Sequence, residues 1–436
     1  MFGRAQRRTV STMSSGPRPT SATTLGVLRR QPRHLRAVVA LGLFSVAEHA
    51  AWVTFLVVAY GRGGVREAGI VSAALLVPAA LVAPLVAKEI GGVRLRHPLA
   101  AGYGIQCLAL LVTMCVVVVE AEPLVFYMAA VLTTVTTVFS RPAHHGVIAG
   151  GDDEATVAAN VATGFVSGLA QLIGPLMASA VLLRFGVVEV FSIGAALLAV
   201  ATTLTVGIGM PTPTRSNTAD SLISWPPSRP TVRQVLLTTP TRAAAPSVVV
   251  LFFVLGLTTV VLGVVETLAA DVGYGLVGEG GAGTGALIAS AGAGLLVGAS
   301  CAGVALRRWS ERATMRLGTV VTAVALILCT QELGLAWSAA SFAAVGVGMQ
   351  TVLVAGWVLL HHHIQPAAAC MVFGLLESQQ LLGNAVGAAA AGVTIAHFGV
   401  WAVVASSVLV LTTSTLLMTT PRARRLATRP DGVWQS

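Results

Sequence analysis

Continuous apolar runs fill most of the chain and alternate with short polar or glycine-rich breaks. Most runs reach the roughly 20 residues that an α-helix needs to cross the hydrocarbon core of a bilayer. The strands of a membrane barrel alternate apolar and polar positions instead, so the pattern argues against a barrel. It predicts an all-α multi-pass membrane protein with twelve transmembrane helices. These helices are predicted near 37–60, 68–90, 99–119, 123–140, 156–183, 187–210, 247–270, 284–306, 315–333, 337–360, 369–396 and 399–419.

A proline-rich polar stretch separates the first six predicted helices from the last six. The segments Leu183–Val187 and Ala396–Val400 both end in Phe-Gly-Val, lie 213 residues apart and precede the sixth and twelfth helices. We therefore predict two related six-helix bundles, the plan of many secondary transporters. The predicted organisation is a basic, disordered cytoplasmic tail at 1–36, bundles at 37–210 and 247–419, a cytoplasmic linker at 211–246 and a cytoplasmic tail at 420–436.

Composition supports a membrane protein over a soluble one. Hydrophobic residues make up 55% of the chain and charged residues 10%, whereas soluble domains have about 25% charged residues. A water-soluble enzyme of this length could not cover its surface with so few polar groups. The five cysteines lie within apolar runs and lack zinc-ligand spacing, so we expect no metal site.

The net charge of +10 reports orientation rather than a nucleic-acid partner. With twelve spans, 24 of the 27 basic residues fall on the side of the two termini, and only Arg62, Arg66 and Arg184 fall on the other side. The positive-inside rule then places both termini in the cytoplasm. We predict a monomer in the cell membrane that contacts lipid and a small-molecule substrate and binds no nucleic acid.

Several segments in sequence order resemble the major facilitator superfamily of transporters. They are Ala47–Trp52 with Tyr60–Gly64 for the first helix and outer loop, Leu76–Leu85 for the second helix, Ser140–Ala143 with Ala159–Ala162 for the junction of helices four and five, and Val372–Ser378 for helix eleven. The last segment is similar to bacterial drug or siderophore efflux members of the drug–proton antiporter type. The resemblance covers about 37–420.

The resemblance implies a set of conformational residues. Gly174-Pro175 matches a Gly-Pro pair on helix five of the antiporters, where a hinge and plain small-residue packing are both possible roles. Two glycines expected soon after that pair are replaced by Ala178-Ser179. Arg141 matches the junction of helices four and five, and Arg94 lies in the loop at 88–96, which resembles the family's cytoplasmic gating loop but lacks its expected Asp. This departure puts the usual gate in doubt.

Polar residues inside the predicted spans are the candidate site. An ionisable group in the bilayer core is costly and normally faces a cavity or a partner. Glu48 lies near the middle of the first helix and is a candidate proton carrier, or else a structural hydrogen-bonding group. Its neighbour His49 is either a second proton site or a packing residue. Glu266 on helix seven is either a substrate or proton contact or a water-facing carboxylate.

Helix eleven carries a polar stripe formed by Glu377, Gln380 and Asn384, which share one face because they are spaced by three and four residues. We include Gln380, Asn384 and Gln171 of helix five among the substrate-cavity candidates. All basic residues can be assigned to loops, tails or helix ends, so the cavity is predicted to be mostly apolar.

The sequence thus predicts a secondary active transporter rather than an enzyme. It lacks a phosphate-binding Gly-Lys-Ser/Thr loop, so the expected driving force is a proton gradient, with no cofactor. The expected activity is proton-coupled efflux of small amphiphilic molecules by alternating access. Uptake or facilitated diffusion, or a non-transporting membrane sensor with the same fold, are the alternatives.

Overall fold

The structure is a computed structural model that describes residues 21–90, 97–148, 153–208, 246–331, 333–361 and 366–418. The linker at 211–245, the loop residues 91–96 with Arg94, and the tails 1–20 and 419–436 lie outside these residues. Within the described ranges the chain is almost entirely helical and contains no strand. The helices are α1 Ser21–Arg30, α2 Pro32–Ile90, α3 Pro98–Val118, α4 Pro123–Ile148, α5 Asp153–Arg184, α6 Val187–Thr205, α7 Pro246–Asp271, α8 Gly280–Arg308, α9 Glu311–Leu328, α10 Leu335–His361, α11 Pro366–Phe398 and α12 Val400–Leu417.

The helix α2 comprises two spans. Its 59 residues would extend about 90 Å as one straight helix, about three times the hydrocarbon thickness of a bilayer. The helix is broken at Gly63 and Gly64, and Gly64 adopts a φ of 66°, a conformation that costs glycine little. We refer to residues 32–62 as α2a and to residues 65–90 as α2b.

The membrane-spanning character of the fold is confirmed. Among the described residues, ten helices are long and apolar enough to cross a membrane when α2 is counted once. Counting α2a and α2b separately, and adding the 18-residue α9 with its charged first turn, gives the predicted twelve. Many leucines point outward, including Leu81, Leu108 and Leu409, each more than 60% exposed. Such a surface suits hydrocarbon rather than water.

Two helices differ from the predicted boundaries. The predicted disordered tail over 1–36 contains α1, whose Leu28 is buried with Val38 and Ala159 in a small apolar cluster. The fourth helix was predicted to end at residue 140, but α4 continues to Ile148. This longer helix places Arg141 inside α4 rather than in a loop, which changes the chemistry of the site described below.

Each half of the chain has its own apolar core. In the first half, Phe55 contacts both Phe126 and Phe191, with ring centroids 6.0 and 5.4 Å apart. In the second half, Phe342 and Leu268 are fully buried within another cluster. The halves meet chiefly where α2 packs on α11 and where α5 packs on α8. At these contacts the backbones approach closely: a Cβ atom on Gly69 would collide with the carbonyl oxygen of Ala388, and one on Gly292 would lie 2.5 Å from that of Gln171.

Candidate functional site

An ion pair in the first half joins α2a to α4. Arg141 Nη2 donates to Glu48 Oε1 and Oε2 at 3.2 and 3.0 Å. The Arg141 side chain is 47% exposed and that of Glu48 is 19% exposed, although Glu48 lies in the middle of α2a. The pair therefore borders a solvent-accessible space between the helices, which we call the cleft. One nitrogen of the guanidinium thus contacts both carboxylate oxygens, and this charge-assisted contact stabilises Arg141 at this depth.

This ion pair corrects one sequence-based expectation. The sequence analysis assigned all basic residues to loops, tails or helix ends, with Arg141 at the cytoplasmic junction of helices four and five. It instead lies within α4 and its guanidinium contacts Glu48. The cavity thus contains a fixed positive charge that the sequence pattern did not predict.

Groups from other helices surround the pair. Glu377 of α11 lies close enough to interact electrostatically with Arg141, so acidic side chains from both halves face this guanidinium. Tyr103 of α3 is fully buried nearby, and its hydroxyl has no hydrogen-bond partner among the described residues. His49 Nδ1 lies 2.6 Å from the carbonyl oxygen of Ser45. This carbonyl fixes the proton on Nδ1, which leaves Nε2 as the acceptor nitrogen of the neutral ring.

A second acidic site lies where the two halves face each other. Glu266 of α7 accepts a hydrogen bond from Asn384 Nδ2 at 3.3 Å. The indole of Trp52 on α2a lies beside the Glu266 carboxylate, although its Nε1 is not in strict hydrogen-bonding geometry with a partner. Within the described ranges, no basic side chain lies within 4.0 Å of Glu266. Its carboxylate is thus contacted by an amide and an indole, with no counter-ion.

The two acidic sites adjoin along α2a, because Trp52 lies beside Glu266. Glu48 and Trp52 are four residues apart on α2a, so they share a helix face and are separated by about 6 Å along the axis. Near the end of α2a the two halves also contact each other, since the Tyr60 hydroxyl donates to Asp271 Oδ1 at 3.3 Å and the Tyr60 ring stacks on Tyr274 at 4.3 Å.

The remaining predicted residues lie around this cleft with different roles. Gly174 faces α2a, and a Cβ atom there would come within 2.8 Å of His49 Cβ, so the residue permits close packing beside the site. Pro175 lies inside α5, which continues to Arg184. Its role as a hinge stays a prediction. Gln171 contacts Gly292 through its backbone, and Gln380 is half-buried. Gln379, rather than Gln380, bonds across helices, from Nε2 to the carbonyl oxygen of Phe252 at 2.8 Å.

The sequence analysis did not place three side chains that the structure brings to this site. Trp52 was used only as part of a family resemblance, Tyr103 was not considered, and Arg141 was assigned to a loop. The spacing of Glu48 and Trp52 on one helix face was the one available signal for Trp52. No local pattern indicated that α4 would continue past Arg141.

No protein-family model and no curated protein matches the chain. Several solved structures, however, superpose on this chain. The nucleoside transporter NupG superposes with a TM-score of 0.65 at 14% identity, over 89% of this chain and 99% of that one. An auto-inhibited peptide transporter of the POT family superposes with a TM-score of 0.63 at 13% identity, over 91% and 96%. This chain has the fold of the major facilitator superfamily. It is therefore a multi-pass membrane protein with a secondary-transporter fold, as the sequence predicted.

Proposed function

We propose that this major facilitator protein exports small amphiphilic cations in exchange for protons, as the drug–proton antiporters do. The observation that carries the proposal is the carboxylate of Glu266, which lines the cleft without a basic partner among the described residues. An unpaired carboxylate inside a membrane protein is costly, and either a proton or a cationic ligand removes that cost. The two ligands then compete for one group.

Competition at one carboxylate produces exchange. When a proton occupies Glu266, a cation gains nothing from the site, and when a cation occupies it, the proton is displaced. If the cleft changes the side of the membrane to which it opens only when a proton or a cation is bound, each half of the transport cycle carries one of these ligands across. In a cell that maintains an inward proton gradient, this exchange moves the cation outward.

The surroundings of Glu266 favour an amphiphilic cation. Trp52 offers an aromatic face on which cationic and apolar groups both bind well. Asn384 Nδ2 is used by Glu266, and the buried Oδ1 of the same amide has no donor among the described residues. An ammonium N–H group of the substrate would fit between Oδ1 and the Glu266 carboxylate, since each offers an acceptor.

The ion pair gives Glu48 a different role in this scheme. Arg141 supplies Glu48 with a positive partner, so a cationic substrate would gain less at Glu48 than at Glu266. Glu48 and Glu266 were both candidate proton carriers on sequence grounds, and their partners favour Glu266 as the exchange site. Glu48 and Arg141 then hold α2a against α4 beside the substrate.

The proposal is tested by transport in proteoliposomes with an imposed pH gradient. We expect uptake of tetraphenylphosphonium or an aromatic amine into vesicles that are acidic inside, and loss of that uptake in Glu266→Gln. Glu189→Gln is the matched control, since Glu189 is an exposed carboxylate at the start of α6. It should transport normally.

Three outcomes would contradict the proposal. Transport of a nucleoside or dipeptide together with protons, instead of against them, would favour the uptake alternative. Transport that is unaffected by Glu266→Gln would show that Glu266 is not the exchange site. Ligand binding without any transport, across cations, nucleosides and dipeptides, would favour the sensor alternative.

A further inference from the structure

A second cavity lies outside the cleft, at the end of the first half where α3 turns into α4. Its volume is about 270 Å³, just below the roughly 300–1,000 Å³ of pockets that hold drug-sized ligands. The walls come from α2a, α3, α4 and α6 and are mostly aliphatic. The lining residues are Val58, Arg62, Val116, Val117, Glu120, Ala121, Phe126 and Val187.

The cavity contains one positive and one negative side chain that do not neutralise each other. The guanidinium of Arg62 lies over the rings of Phe126 and Tyr127, 4.9 and 5.4 Å from their centroids. Glu120 lines the same cavity. Among the described residues, no carboxylate lies within 4.0 Å of the Arg62 guanidinium. The Tyr127 hydroxyl also interacts with Arg62, which still has further N–H groups for a ligand, and Glu120 has no ion-pair partner among the described residues.

The backbone at Glu120 supports a role for its side chain. Glu120 follows the end of α3 and has a φ of 51°, a left-handed conformation that no other described residue except glycine adopts. Glycine is the usual residue at such a helix end, because a side chain there costs about 1 kcal/mol. A glutamate at this position adds strain and a charge at the mouth of the cavity.

The surroundings of the cavity place it at the membrane surface. Val118, Val119 and Leu124 border it in sequence and are 59%, 70% and 69% exposed. In a protein that spans a bilayer, such apolar side chains at helix ends contact acyl chains close to the headgroups. A ligand in this cavity would therefore have its polar part beside Arg62 and Glu120 and its apolar part toward the lipid.

We propose that this cavity binds the headgroup of a zwitterionic phospholipid that carries a primary ammonium group. The phosphate would bind the Arg62 guanidinium, which suits phosphate oxygens geometrically. The ammonium would donate to Glu120, and the glycerol end would lie against the valines. A choline headgroup lacks N–H donors and a glycerol headgroup lacks the positive charge, so both satisfy Glu120 less well. This inference does not depend on the transported substrate.

Native mass spectrometry of the detergent-purified protein, titrated with phosphatidylethanolamine, phosphatidylcholine or phosphatidylglycerol, tests the proposal. We expect one molecule of phosphatidylethanolamine to bind about fivefold more tightly than phosphatidylcholine. This ratio of affinities corresponds to the free energy of about one hydrogen bond. Glu120→Gln should abolish this preference, and Arg62→Gln should weaken both lipids. Arg184→Gln and Glu122→Gln are matched controls, since both residues are exposed and neither lines the cavity.

Two further variants separate binding from folding. Glu120→Gly relaxes the left-handed backbone, so it should raise the thermal stability of the lipid-free protein while it removes the lipid preference. Ala121→Phe fills the cavity from the turn and should exclude the lipid even if Arg62→Gln fails to fold. Equal retention of all three lipids, or retention unchanged in Ala121→Phe and Glu120→Gln, would overturn the proposal. Tight binding of free phosphoethanolamine would do so too, because a soluble ligand would then be the occupant.

Discussion

Glu48 and Glu266 are the same residue type in the same cleft, yet they have different partners. Glu48 is held by Arg141 at 3.0 Å, whereas Glu266 is contacted by the amide of Asn384 at 3.3 Å. A cation partner stabilises a carboxylate, and an amide with an indole does so much less. Depth in the membrane alone therefore does not assign a role to an acidic residue, because the neighbouring side chains determine whether its charged or its neutral form is stable.

The largest effect is expected from removal of the positive partner. Arg141→Gln leaves Glu48 uncompensated and should lower the free energy of unfolding by about 1–3 kcal/mol, between the values for surface and buried pairs. In the double variant Glu48→Gln/Arg141→Gln most of this loss should be recovered, because no charge is left unpaired. Thermal unfolding in detergent measures both. Equal loss in the single and double variants would show that the pair adds nothing beyond packing.

A smaller effect is expected at the unpaired carboxylate. Asn384→Ala removes the side-chain hydrogen bond that Glu266 accepts from Asn384, and it removes an acceptor for the substrate. Binding of an aromatic amine should weaken by about fivefold, which corresponds to roughly 1 kcal/mol. Glu189→Gln, at the exposed start of α6, is the control and should bind as the wild type does. A larger loss of binding affinity in Gln380→Ala than in Asn384→Ala would show that the substrate binds in another part of the cleft.

Most of the fold was predictable because membrane spans are encoded locally. Uninterrupted apolar runs must become helices in a bilayer, since every backbone polar group has to be satisfied within the segment. The break between α2a and α2b was predictable from the glycines near residue 63. The end of α4 was not, because Arg141 normally marks the edge of a span and Pro142 normally interrupts a helix.

The candidate residues were predictable individually, but their partners were not. Glu48 and Arg141 are 93 residues apart, and Glu266 and Asn384 are 118 residues apart. No periodicity within one helix reports contacts between helices that distant in sequence. The polar stripe on α11 includes Asn384, which contacts Glu266, and the different partners of Glu48 and Glu266 could not be predicted from either helix alone.

The most direct test of the account is proton release on substrate binding. In weakly buffered detergent solution across the neutral pH range, addition of an aromatic amine to the wild-type protein should release protons, because the cation displaces a proton from Glu266. Glu48→Gln should still release protons, and Glu266→Gln should release none, with binding followed independently by quenching of tryptophan fluorescence. Undiminished proton release from Glu266→Gln, or its loss in Glu48→Gln alone, would contradict the assignment of Glu266 as the exchange site.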